Sequence, residues 1–378
     1  MRIALTGGGS GGHLFPVLAV VQEIRKIVQQ NIYKIPIGEG TEIEFMFIGP
    51  DTVGEELLLQ TNIQHRTIMA GKLRRYASLQ NIFDIFKIPA GTIQALWHLF
   101  FFMPNVIFSK GGYGSVPVVI AAWIFRIPVV IHESDTIPGL ANKFCSHLAQ
   151  KIAISFPESA KFFSTKKKNK IALTGNPVRT ELMGGTLEEA KKVFGLSGLK
   201  SVLLILGGSQ GAQTINDVIS NSLPLLISRC EIIHQCGSNN YEEIKRDLND
   251  KQPQGYFLFS FLDADQMKQA YAAANLVISR AGAGTIAEIA ALGKPSILIP
   301  LPNSAADHQL KNAMSYAESG SAMIIDQMNL TPHLFKDRIF SLLDNADLMK
   351  QMGENAKKFN PPDAVRLIAQ EVLSIAKQ

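Results

Sequence analysis

Val202-Leu203-Leu204-Ile205-Leu206-Gly207-Gly208-Ser209-Gln210-Gly211-Ala212 reads as a buried strand, a glycine turn and the start of a helix. The chain opens with the same grammar, where Ile3-Ala4-Leu5 runs into Gly7-Gly8-Gly9-Ser10-Gly11-Gly12-His13. A glycine turn between strand and helix offers bare backbone N–H groups and a helix N-terminus to an anion. One such loop suggests a nucleotide binder. Two of them, half a chain apart, predict two similar domains facing across a cleft.

Outward from these turns, short β-branched runs alternate with helical patterns. In the first half the strands read as Arg2–Thr6, Glu42–Ile48, Asn105–Ser109, Pro128–His132 and Lys151–Ile154, with helices opening near His13, Ser115 and Ile137. The second half repeats the alternation at Ser201–Leu206, Glu231–Gln235, Tyr256–Ser260, Leu276–Ser279 and Pro295–Pro300. Strands separated by helices imply right-handed βαβ units and parallel sheets, an α/β fold with two doubly wound domains. Phe156-Pro157, Lys166-Lys167-Lys168-Asn169-Lys170 and Gly175-Asn176-Pro177 have the turn formers and charge of a linker, which sets the domains at 1–175 and 176–360. After Pro361-Pro362-Asp363, the spacing of Ala364, Leu367, Ile368, Val372 and Ile375 predicts an amphipathic helix over 361–378. It is expected to pack back on the first domain.

With 378 residues, 46% of them hydrophobic and 18% charged, the chain has ample material for two cores. Cys145, Cys230 and Cys236 form no CxxC pair and read as reduced, buried thiols. Met1-Arg2 leads straight into a strand without a signal-peptide pattern, and the apolar run Leu96–Met103 is broken by His98 and stopped by Pro104, so a cytoplasmic protein without a membrane span is expected. Charge is unevenly spread: 18 Lys+Arg face 11 Asp+Glu through residue 175, and 19 face 21 beyond it. The basic half points to an anionic partner, a membrane surface or a nucleic acid.

Gly7, Gly9 and Gly12 satisfy GxGxxG, yet Gln29-Gln30-Asn31-Ile32-Tyr33 lacks the ribose-binding acid a dinucleotide site needs, and no lysine follows to make a P-loop. The loop has His13 instead, at a helix start that disfavours imidazolium. Two readings stay open, a cap on the helix and a general base. Ser109-Lys110-Gly111-Gly112-Tyr113-Gly114-Ser115 is a further strand-to-helix turn, either simply tight or lining a pocket with the first. In the second half, Arg280-Ala281-Gly282-Ala283-Gly284-Thr285-Ile286-Ala287-Glu288 combines small residues at a helix start with a carboxylate suited to a ribose diol or to the helix dipole. Asp263-Ala264-Asp265 spells the DxD of metal-dependent transferases, but reads better as the cap and first turn of a helix.

Taken together, GGxGGH at Gly8–His13, GGY at Gly111–Tyr113, His132-Glu133, GNPVR at Gly175–Arg179, GGSQGA at Gly207–Ala212, GAGT with Glu288, His308-Gln309 and PDA at Pro362–Ala364 resemble the MurG family, GT-B glycosyltransferases of family 28. The match runs nearly end to end, and GNPVR followed by GGSQGA is its specific part. The resemblance implies two Rossmann-like domains, UDP-N-acetylglucosamine as donor, and lipid I, the undecaprenyl-diphosphate-linked muramyl-pentapeptide, as acceptor. It implies that Ser209 and Arg179 meet the diphosphate, Leu262 places the uracil through its backbone, and Glu288 holds the ribose. Ala283, Gly284, Thr285, Ile286 and Ala287 approach the phosphate and sugar, Gln309 the sugar hydroxyls, and Ser10, Gly11 and Gly12 close the cleft. Gly111, Gly112 and Tyr113 fall on the acceptor side, with His13 as the base of an inverting transfer. Where the family commonly shows Gln-Asn after His-Glu, this chain has Ser134-Asp135, so the donor contact is carried to Asp135 across a departure.

No metal or other cofactor is required on this reading, and no nucleic acid. The basic first half gains an anionic membrane as partner, on the cytoplasmic face. Lys72, Arg74, Arg75 and Lys87 flank Leu79, Ile82, Phe83 and Phe86 at helical spacing, and Trp97 and Phe100 follow. A UDP-N-acetylglucosamine 2-epimerase, or a non-catalytic binder of nucleotide sugar or lipid head group, is the alternative.

Overall fold

The computed structural model describes residues 1–8, 11–30, 43–50, 58, 60–71, 79–164, 169–208, 211–249 and 251–376, with backbone alone at 11–13, 79–83, 85 and 305. The chain divides into two compact units, Met1–Pro177 with Asp363–Gln378, and Val178–Pro362.

In the first unit the described strands are β1 (Arg2–Thr6), β2 (Glu44–Gly49), β3 (Gln64–Thr67), β4 (Val106–Ser109), β5 (Val129–Glu133), β6 (Lys151–Ile154) and β7 (Ile171–Leu173). They pair in parallel in the order β3-β2-β1-β4-β5-β6-β7. Side chains alternate along a strand, so each run serves two cores. Ile3, Leu5, Phe45, Phe47, Val106 and Phe108 pack with Val17, Val21 and Ile24 of α1 (Gly11–Gln29). Ala4, Met46, Ile48 and Ile107 face the other way, onto Ala95 and Leu99 of α2 (Leu79–Phe102) and Val118 and Ala122 of α3 (Ser115–Ile124). A short helix, α4 (Leu140–Cys145), follows β5.

The second unit has β8 (Ser201–Leu206), β9 (Cys230–Gln235), β10 (Tyr256–Phe259), β11 (Leu276–Ser279), β12 (Ser296–Leu298) and β13 (Ala322–Ile324), parallel in the order β10-β9-β8-β11-β12-β13. Its helices are α5 (Leu187–Phe194), α6 (Gln213–Arg229), α7 (Tyr241–Asp247), α8 (Ala264–Ala273), α9 (Ala283–Ala291), α10 (His308–Glu318), α11 (Pro332–Leu343) and α12 (Ala346–Phe359). Both sheets are buried on both faces, which is why their central strands read as unbroken apolar runs. The last helix, α13 (Ala364–Ser374), lies in the first unit, where Ile368, Ala369 and Val372 join the core beneath α1 and Glu371 pairs with Lys151 at 3.0 Å.

The sequence reading places no strand at β3, β7 or β13, and β7 falls between two of the stretches read there as a linker. All three are outermost strands of at most four residues with few buried side chains; Gln64–Thr67 is polar, and Ile171–Leu173 and Ala322–Ile324, though apolar, are too short to stand out as strands. Glu42 and the linker lysines Lys166, Lys167 and Lys168 lie outside the described residues. Among those described, no helix is long and apolar enough to cross a membrane.

Candidate functional site

In each sheet the connections leave the central pair in opposite directions, at β1/β4 and at β8/β11. In open α/β sheets ligands bind at such switch points, outside the carboxyl ends of the strands. The glycine turns stand at these two places.

At the first, Lys110 N–H donates to the Thr6 carbonyl at 2.9 Å, tying the turn after β4 to the end of β1. Gly111 and Gly112 have φ of +87° and +83°, open to glycine, and a Cβ at Gly111 would lie 2.6 Å from the Asn142 amide. Tyr113 is half-buried in the same turn. Gly11, Gly12 and His13 are the first three residues of α1, where backbone N–H groups lack intrahelical partners. The His13 imidazole and the whole of Ser10 lie outside the described residues.

Beside this turn is a buried cluster that the sequence reading did not assign. Lys110 Nζ is 2.9 Å from His132 Nδ1 and also contacts Ser134 Oγ. His132 Nε2 lies 3.0 Å from the Gly175 carbonyl, which only accepts, so the ring proton is on Nε2 and Nδ1 accepts from the ammonium. The Glu133 carboxylate accepts from the N–H groups of Asp135 (2.9 Å) and Gly139 (3.1 Å) and from Asn142 Nδ2 (2.9 Å), stapling the loop that leaves β5. Burial draws Lys110 below its ordinary range against the pull of Glu133 and Asp135, and pushes Glu133 up. His132 falls well below its usual value through burial and the Lys110 charge, and stays neutral.

At the second switch point the glycines divide into two kinds. Gly211, at φ +85°, is locked, since an added Cβ would meet the Asn240 side chain and the Cys236 carbonyl at 2.5 Å. Among the described residues, Gly208, Gly282 and Gly284 have nothing within 4 Å of that position. Their space is open for a ligand rather than filled by packing. Gly282 precedes α9 in extended conformation without a side-chain cap, leaving the amides of Ala283, Gly284 and Thr285 for an incoming anion. Ile286 and Ala287 are buried, and the Ile286 N–H already donates to the Gly282 carbonyl at 3.0 Å.

Glu288, deeper in α9, accepts at Oε1 from Arg179 Nε (3.1 Å), with Nη2 at 3.0 Å, and at Oε2 from the Tyr271 hydroxyl (3.1 Å). Arg179 and Glu288, read separately from the sequence, are therefore an ion pair. Burial raises the Glu288 carboxyl above its usual range, with Arg179 and Tyr271 opposing. Two more groups went unassigned: Tyr271, an aromatic at core spacing, and Arg280, whose Nη1 donates to the Ile299 carbonyl at 3.1 Å. Leu262 is buried and its N–H donates to Gln235 Oε1 at 3.0 Å. Gln309 Oε1 accepts from the Leu301 N–H at 3.0 Å, which directs its amide NH2 outward from that bond. Ser209 lies outside the described residues.

The DxD aspartates are engaged locally. Asp263 forms a reciprocal capping box with Gln266, at 2.8 and 3.1 Å, and Asp265 pairs with Lys268 at 2.6 Å. Among the described residues no three His, Cys, Asp or Glu side chains gather as a metal site needs.

In the first unit, α2 and the end of α3 also carry an exposed aromatic patch. Trp97, Phe100, Phe101 and Trp123 are each at least 60% exposed. Trp97–Phe101, Phe100–Phe101 and Phe100–Phe125 ring centroids are 4.7, 5.3 and 6.5 Å apart. Contiguous apolar surface of this kind marks an interaction site. Phe86 is exposed too, but Lys87 is held by Asp84 at 2.7 Å. Lys72, Arg74, Arg75 and the side chains of Leu79, Ile82 and Phe83 lie outside the described residues.

Comparison with known proteins meets this geometry from another direction. The model of the glycosyltransferase family 28 N-terminal domain matches residues 3–154, and that of the C-terminal domain residues 202–368. The UDP-N-acetylglucosamine--N-acetylmuramyl-(pentapeptide) pyrophosphoryl-undecaprenol N-acetylglucosamine transferase of Clostridium kluyveri is 40% identical over 343 residues, 90% of this chain and 91% of the relative. Its counterpart in Clostridium tetani is 35% identical over 97% of each chain. The crystal structure of Acinetobacter baumannii MurG superposes with a TM-score of 0.74 at 27% identity, covering 99% of each chain. A UDP-GlcNAc 2-epimerase from Neisseria meningitidis, at 14% identity and a TM-score of 0.68 over 99% of this chain and 100% of that one, shares the fold alone.

Proposed function

The chain belongs to glycosyltransferase family 28, as an N-acetylglucosaminyltransferase that uses UDP-N-acetylglucosamine and the pyrophosphoryl-undecaprenol-linked muramyl-pentapeptide, and we propose that it does so by a single inverting displacement. The muramyl 4-hydroxyl attacks the anomeric carbon, the bond from that carbon to the phosphate oxygen breaks, and UDP departs with its electron pair. His13 takes the hydroxyl proton. The product is lipid II, for peptidoglycan.

The observation that carries the donor assignment is the second switch point, where three glycines with open space stand beside an uncapped helix start and the Glu288 carboxylate. The amides of Ala283, Gly284 and Thr285, with Ser209 and Arg179, meet the diphosphate, so its departing charge is stabilised by groups already in place and no metal is required. Ile286 and Ala287 hold that helix end from the core. Glu288 takes the ribose hydroxyls on lone pairs left by Arg179 and Tyr271. Since Gln235 occupies the Leu262 N–H, the Leu262 carbonyl is the group for uracil. Gln309 offers its NH2 to a sugar hydroxyl.

Ser10, Gly11, Gly12 and Asp135 contribute donor contacts from the first unit, and Gly111, Gly112 and Tyr113 take the acceptor. The patch around Trp97 and Phe101 seats the first unit on an anionic membrane at the cytoplasmic face, where a lipid-anchored acceptor lies. A transfer assay with a short-chain lipid I analogue decides the reading. UDP-N-acetylglucosamine is expected to be consumed in preference to UDP-glucose, with one sugar added per acceptor; turnover of the donor to an epimer without acceptor overturns it.

A further inference from the structure

The end of β5 and the loop after it place two carboxylates, Glu133 and Asp135, beside Lys110 and the Gly111–Tyr113 turn that takes the acceptor in the reading above, on which this inference rests. The acceptor's diphosphate is anionic, and an acid such as Asp135 beside its seat repels it unless something offsets the charge. One cation is built into the same place. Lys110 is 3% exposed, immediately precedes Gly111, and is fixed by His132 Nδ1 and Ser134 Oγ, both from the strand and loop that carry the acids. Because His132 is held neutral with its Nε2–H donating to the Gly175 carbonyl, its Nδ1 accepts from the ammonium and the ring adds no charge. Glu133 and Asp135 both act electrostatically on Lys110. A buried ammonium is costly to keep, and packing alone has no need of one.

We propose that Lys110 is a positioning residue for the acceptor: it ties the Ser134–Asp135 turn to the Gly111–Tyr113 turn and offsets the charge of Asp135, so that a diphosphate-linked sugar can approach. The ammonium does not touch the substrate. It acts through the turn and through its field. The arrangement also explains how an aspartate can stand at 135 where the family pattern has an amide. In this chain Ser134 binds the lysine and the lysine balances the acid.

The proposal is tested by a double-mutant cycle in the full-length enzyme, with the acceptor KM measured at a UDP-N-acetylglucosamine concentration shown to be saturating for each variant, because Asp135 is also a donor contact in the reading above. Lys110→Met is expected to raise the acceptor KM about tenfold while kcat changes less than about twofold. Combined with Asp135→Asn, which removes the charge needing an offset, Lys110→Met is expected to change the acceptor KM by no more than about twofold relative to Asp135→Asn alone. Equal effects of Lys110→Met in the two backgrounds, or a collapse of kcat at unchanged KM, overturn the proposal. Lys110→Gln, which retains a donor for Ser134 and His132 without the charge, carries the same cycle if the Met variant does not fold by circular dichroism. If the unmodified enzyme transfers no sugar to the lipid I analogue, the functional reading itself fails before any variant is compared.

Discussion

At the carboxyl edge of the first sheet the titratable groups turn inward: Lys110, His132 and Glu133 are buried and bonded to one another or to loop backbone. At the same edge of the second sheet, backbone is laid open, with free space at Gly208, Gly282 and Gly284, and one carboxylate, Glu288, stands within reach of it. The two sheets share the course of their central strands, so topology supplies the place in both and the loops supply opposite chemistry. A charged, interlocked edge is suited to holding a loop in shape. An open glycine edge is suited to being filled by a ligand's phosphates and ribose.

The largest effect that could break this division is at His13. His13→Ala is expected to lower kcat by on the order of 10²–10⁴ at saturating substrates with the donor dissociation constant nearly unchanged. Near-normal turnover would remove the base from the first unit. Glu288→Ala comes next, with donor binding weakened by roughly 10–100-fold in calorimetry, as expected for losing hydrogen bonds to a charged group. The pH dependence has a definite sign: burial raises this carboxyl, so donor affinity should fall on acidification at a higher pH than an ordinary glutamate gives, and Glu288→Gln should flatten the profile.

Smaller is the membrane contribution, where Trp97→Asp with Phe101→Asp should weaken partitioning onto anionic vesicles by about tenfold and leave transfer to a soluble acceptor analogue intact. The smallest separates the two kinds of glycine. Gly211→Ala should lower stability by more than about 1 kcal/mol in a denaturant titration, since its φ is positive and its neighbours are close, whereas Gly284→Ala, in a helix with open space at its Cβ, should raise stability by up to about 1 kcal/mol and weaken the donor instead. If both merely destabilise, the open edge is not a ligand site.

Most of this architecture was legible in the central strands. A strand buried on both faces must be apolar throughout, so Ile3–Leu5 and Val202–Leu206 announced themselves, and glycine marked where each ends. Edge strands such as Ile171–Leu173 can be apolar too, but at three residues they are too short to stand out from a connecting segment. Arg179 and Glu288 stood out individually through their motifs, but their pairing across 109 residues belongs to the fold and not to any local pattern. Tyr271 was invisible because a phenol at core spacing looks like core until its hydroxyl is seen on a carboxylate. Lys110 stands just before a glycine turn where a lysine is ordinarily solvated, and nothing in spacing reveals that its ammonium is buried.

The helix Ala364–Ser374 completes the first unit from the far end of the sequence. On the ribosome that order becomes a schedule. Residues 178–362 emerge as a complete folding unit while the face of the first sheet beneath α1 still waits for Ile368, Ala369 and Val372. The half of the molecule that is made first is therefore finished last, and until the final helix arrives its apolar face is the segment a nascent-chain chaperone has most reason to shield.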